Sequence, residues 1–139
     1  SYLNKVLKTF NMVEAKPALT PLGAHLKMKS ATEEKLSEEE KYMKSVPYSS
    51  VVGSIMYAMI GTRPDLAYPI GVVSRFMSQP AKEHWLGVKW VLRYIKGTLK
   101  SRLYYKKNSD FSIYGYCDAD YAADLDKRRS TWLFYMWRD

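Results

Sequence analysis

The sequence predicts an α+β protein, with a helical unit first and a β-segment after it. Two observations carry that expectation. Apolar residues recur at helical spacing as far as Gly97, and beyond it they alternate with a period of two. A third observation supports both: prolines and glycines cluster where one pattern gives way to the next.

Leu3, Val6, Leu7 and Phe10 share a helical face with lysines between them, so residues 2–11 read as a short amphipathic helix. "AKPALTPLG" at 15–23 carries two prolines and a glycine and must turn or extend. Residues 29–45 are polar with mixed charge, and they read as a mobile loop with one exposed helical turn. A helix follows from about Pro47 to Gly61, capped by Ser49 or Ser50, with Val52, Ile55, Met56 and Met59 facing inward. Thr62 and Pro64 open a second helix that Pro69 should kink or delay. Ser78 and Pro80 open a third, from Ala81 to Ile95, closed by Gly97. Then "SRLYYKK" and "FSIYGYCDA" read as a hairpin around "NSD", and "STWLFYMW" as a further strand.

Composition narrows the function classes. Cys117 is the single cysteine, which excludes an intramolecular disulfide framework. The longest apolar stretch, Val51 to Ile60, is too short to span a bilayer, so no membrane partner is expected. No signal-peptide pattern is visible after Ser1. The net charge of +8 is concentrated: residues 63–107 carry ten Lys and Arg against Asp65 and Glu83 alone. That points to a polyanion-facing surface.

The third helix shows where those charges gather. Trp85, Val88, Val91, Leu92 and Ile95 form one face. Lys82, Lys89, Arg93, Lys96 and, if the helix extends, Lys100 fall on another, within about 60° at 100° per residue. Such a stripe is suited to tracking a phosphate backbone.

The other candidate chemistry lies in "YGYCDADYAADLDKRRST" (114–131). Counted from Asp118, an EF-hand pattern fails after Asp120. One cysteine and the distant His25 and His84 cannot make a zinc tetrahedron. His84 is expected to cap or to pack beside Trp85, and Cys117 to be a small core residue. Asp118, at the end of a strand, remains as a single carboxylate, and a two-metal site needs several. Asp124 or Asp126 is expected to pair with Arg128 or Arg129.

Residues 48–98, with "TRPDLAY", "SRFMSQPAKEHW" and "LRYIKGT", resemble the Pol polyprotein of copia-type LTR retrotransposons. "YLNKVLKTFNMVEAKPALTPL" (2–22) is similar to the end of the reverse transcriptase, and "GYCDADYAADLDKRRST" (115–131) to the start of its ribonuclease H. The resemblance implies four parts: the end of a palm at 1–22, a polar linker at 23–46, a helical thumb or connection at 47–98, and a truncated ribonuclease H-like β-sheet at 101–139. It matches Asp118 to the first of the nuclease carboxylates that hold Mg²⁺ in the intact family, and it lays the basic stripe along a template–primer duplex.

The polymerase's Tyr-x-Asp-Asp motif does not occur here, and the Ser-Thr-Ser-Gly-Tyr pattern is replaced by "STWLFYMWRD". The expectation is a non-catalytic Pol fragment with an incomplete metal site and no cofactor of its own. An RNA–DNA or DNA duplex is its expected partner, and the cytoplasm or nucleus its expected location. The alternative is a stand-alone interaction protein, because chains labelled secreted RxLR effectors resemble the same segment. No Arg-x-Leu-Arg is present.

Overall fold

Helix α1, Tyr2–Thr9, buries Leu3, Val6 and Leu7. It stops where Asn11 takes φ 54°. The Asn11 N–H then donates to Lys8 O (3.2 Å) and the Met12 N–H to Leu7 O (2.8 Å), closing the last turn. The computed structural model describes residues 1–23, 25–26 and 28–101, together with the backbone of 114–120 and 131–137. It divides the chain into two units, Ser1–Ser101 and Arg102–Asp139.

In the first unit, α3 (Tyr48–Thr62) is the hub. It touches α1, the 3₁₀ turn Pro64–Leu66, α4 (Ala67–Ser74) and α5 (Lys82–Gly97). Val51, Val52 and Ile55 are fully buried there, against Val88, Val91, Leu92 and Ile95 of α5. Met56 and Met59, expected in the inward stripe, are only half-buried, while Val51 and Ala58 take core positions. The helix begins at Tyr48 without a serine cap and runs one residue past Gly61. Tyr48 anchors its start: the buried hydroxyl donates to Val73 O at 2.7 Å. Burial pushes that phenol's pKa well above its ordinary value.

Pro69 does delay the second helix. The segment opens as a 3₁₀ turn, and α4 starts at Ala67. Pro69 then falls in the first turn of α4, where its missing N–H has no carbonyl to leave unpaired.

Two expectations are corrected. Residues 29–45 are not a loop with one helical turn, because Glu33–Met43 forms α2. None of its residues is buried, so the apolar periodicity that reveals a helix is missing. Its support is polar: Thr32 Oγ1 accepts from the Lys35 N–H, and Glu33 and Glu34 sit in the positive first turn.

The second correction concerns fold class. The truncated ribonuclease H-like β-sheet is not what the described residues form. Through Ser101 the fold is helical. The only strands among the described residues are β1 (Tyr114–Asp120) and β2 (Thr131–Trp137), paired antiparallel in a two-stranded ribbon with Cys117 opposite Phe134. Period-two alternation marks a strand's two faces and says nothing about how many partners it finds. The expected hairpin partner at 102–107 and the turn at 108–110 lie outside the described residues.

Candidate nucleic-acid interface

Helix α5 is amphipathic along its sixteen residues. Its N-terminus is held by His84, whose ring is wholly buried and stacks on Phe76 with centroids 3.9 Å apart. Nδ1 accepts from the Ala81 N–H (2.9 Å), so Nε2 carries the proton and donates to Lys29 O (2.7 Å). This histidine is a helix cap, and both of its nitrogens are committed.

The cationic face lies between two tryptophans. Lys89 Nζ is 5.8 Å from the centre of the Trp85 ring, and the Arg93 guanidinium 4.8 Å from that of Trp90. Cations over indole faces are attracted by the ring quadrupole, and the same rings can stack bases. Lys82 is exposed, with Nζ 5.2 Å from the Tyr42 ring centre. Lys100 lies beyond the last helical residue, Gly97, and is exposed. Four of the five expected cations therefore ride on the helix, and the fifth follows its end.

The chain itself lies on both ends of this face. Along the C-terminal half runs the irregular segment Ala15–Thr20. Arg93 Nε donates to Lys16 O (2.6 Å), Lys96 Nζ to Ala15 O (2.8 Å) and Trp90 Nε1 to Thr20 O (2.9 Å). In return the Ala18 N–H donates to Arg93 O (3.2 Å). At the N-terminal end, Glu39 of α2 accepts from the Lys82 backbone N–H (2.7 Å), and Lys35 pairs with Glu83 (2.7 Å). That pair's hydrogen bond pushes the Lys35 pKa up.

Beside the C-terminus of α5, sequence reasoning missed a polar latch. Arg63 holds Asp65 with two parallel hydrogen bonds, 2.9 and 2.7 Å, and reaches Thr98 Oγ1 at 2.7 Å. Tyr94 OH donates to Asp65 Oδ2 at 3.0 Å. Burial pushes the Asp65 carboxyl up, but Arg63's hydrogen bonds and charge outweigh it and hold the pKa below the usual carboxylate range. Burial, then Asp65, push the Tyr94 phenol up. The latch joins "TRPD" to "YIKGT", two of the motifs quoted above. Their spacing in sequence carries no sign that they meet.

Asp118 lies in β1, in register with Leu133 of β2. Its side chain, that of Cys117, and the expected pairing of Asp124 or Asp126 with Arg128 or Arg129 lie outside the described residues. Among the described residues, no three His, Cys, Asp or Glu side chains gather as a metal site, and no helix is long and apolar enough to cross a membrane.

A helical unit with a basic, tryptophan-flanked helix is thus the class of protein the geometry defines. No protein-family model matches the chain, and no solved structure matches it. Curated relatives do. Over 94% of its length the chain is 52% identical to the retrovirus-related Pol polyprotein from transposon TNT 1-94 of Nicotiana tabacum, covering 10% of that protein. It is 36% identical over the same share to the Pol polyprotein from transposon RE2 of Arabidopsis thaliana, covering 8%. Over 64% of its length it is 49% identical to secreted RxLR effector protein 161 of Plasmopara viticola, covering 63%. Along nearly its whole length the chain is thus similar to retrovirus-related Pol polyproteins of transposons. It spans about a tenth of the length of the Pol relatives it matches.

Proposed function

We propose that this chain is a non-catalytic segment of a copia-type Pol polyprotein that binds a nucleic-acid duplex through the basic face of α5. In this reading residues 47–98 are a thumb- or connection-like unit that lies along the phosphate backbone. The observation that carries it is the run of Lys82, Lys89, Arg93 and Lys96 on one helical face between Trp85 and Trp90. Clustered cations release counterions from a duplex, and flanking rings offer a stacking surface. No Tyr-x-Asp-Asp occurs in the 139 residues, so the reading assigns the segment no polymerase chemistry.

The test is fluorescence anisotropy with an RNA–DNA hybrid across a salt series. Wild type should bind with a steep salt dependence. The Lys82→Ala, Lys89→Ala, Lys100→Ala triple variant, which spares the cations holding Ala15–Thr20, should flatten log Kobs against log salt by up to about 0.9 per lysine. Absence of binding at low salt, in wild type and in the variants described below, sinks this reading.

A second reading rests on a different face. Tyr57 and Ile60 of α3 are 70% and 80% exposed, with Tyr2 edge-on to Tyr57. With the similarity to an RxLR effector, this favours an interaction protein acting on plant-cell proteins. A Tyr57→Glu, Ile60→Glu variant that keeps every interaction partner found for the wild type by proximity labelling in plant cells would remove it.

A further inference from the structure

We propose that the Ala15–Thr20 strap is an exchangeable occupant of a phosphate-binding trough on α5, and that duplex binding requires its release. This rests on the duplex-binding reading above and adds a step to it. The trough is formed by Trp90, Arg93 and Lys96. Each points a donor at a strap carbonyl: Lys96 at Ala15, Arg93 at Lys16, and Trp90 at Thr20. The strap thus presents a row of oxygens to a row of donors, as a phosphodiester backbone would. A phosphate oxygen carries charge and a carbonyl does not. Arg93 and Lys96 already make charge-assisted bonds to these carbonyls, and a phosphate adds the attraction between opposite charges that a neutral carbonyl lacks.

The strap has little else to hold it. Ala18 is its one buried residue, at 5% exposure, while Leu19 is 94% exposed. Lifting it forfeits the burial of one methyl group and one backbone hydrogen bond from Ala18 to Arg93. Segments with few buried apolar contacts open at low cost. Pro17 and Pro21 restrict the backbone at either side of Ala18, which keeps the carbonyls aligned while the strap is docked. Gly97 allows the close approach: a Cβ there would stand 3.1 Å from Ala18 O and 3.3 Å from Pro17 Cβ.

Two variants loosen the strap and leave every cation in place. Ala18→Pro removes the strap N–H that donates to Arg93 O and alters no residue of α5. Gly97→Ala crowds Ala18 O and touches no donor. Each is measured by anisotropy with the RNA–DNA hybrid, and exchange of the Ala18 amide is followed in wild type with and without duplex. Both variants should bind several-fold more tightly than wild type, and duplex should speed Ala18 exchange at least about tenfold. Binding by the variants alone, with none by wild type, also supports the strap. Duplex binding that leaves Ala18 protection unchanged overturns the strap and leaves the duplex-binding reading standing. Weaker binding by both variants overturns it as well. No binding by any of the three proteins overturns both.

Discussion

Helices α2 and α3 are near neighbours in sequence and differ in what makes them helical. Five side chains of α3 are buried, among them Val51, Val52 and Ile55 with no exposure at all. None of α2's is. What α3 gains from packing, α2 must find in caps and charges: Thr32 at its start, Lys35 on Glu83, and Glu39 on the first N–H of α5. Burial of a branched side chain stabilises by kilocalories, whereas an exposed cap or ion pair contributes about one or less. The difference teaches that helical pattern and helical structure part company wherever polar contacts replace a core.

Ile55→Ala should break the molecule most. It opens a cavity against α5 and should cost about 2–5 kcal/mol in urea unfolding, whereas Leu36→Ala in α2 should stay below about 1 kcal/mol. Equal losses at the two sites would erase the contrast.

The latch is expected to fall between these extremes. Asp65→Asn weakens a charged, bidentate contact whose carboxylate is 39% exposed, so about 1–2 kcal/mol is expected at neutral pH. Its pH dependence has a definite sign. The folded pKa of Asp65 is depressed, so its contribution is complete above the unfolded value and fades as pH falls through the folded one. The gap between wild type and Asp65→Asn should therefore be full at pH 7 and shrink below about pH 4. A gap that widened with acid would contradict the assignment of Arg63 as the dominant partner.

Thr32→Ala is the smallest change. It removes a cap whose hydrogen bond is long, 3.4 Å, and should cost about 0.5 kcal/mol, read best as faster amide exchange in the first turn of α2. If α5 frays with it, the Glu39 contact couples the two helices more tightly than a lone cap would.

The helices that bury a face were legible in the sequence: α1, α3 and α5 each show their apolar stripe, and the delay imposed by Pro69 follows from its missing N–H. Helix α2 was not legible, because a helix without a buried face has no stripe to show. Among the described residues the two strands pair only with each other, short of the larger sheet expected, because alternation identifies strands and leaves their partners open. The site divides in the same way. The cationic stripe of Lys82, Lys89, Arg93 and Lys96 could be counted at 100° per residue, since helical geometry is local. The strap on Arg93 and Lys96 could not be foreseen, because its oxygens belong to backbone carbonyls that every sequence possesses.

By itself the sequence determined the resemblance to transposon Pol polyproteins, the apolar and basic faces of α5, and the capping role open to His84. Only the tertiary structure decided that Arg63 meets Thr98 across 35 residues and that Arg93 meets Lys16 across 77. Periodicity is a property of neighbours on one element. Which carbonyl satisfies which cation depends on where separate elements come to rest.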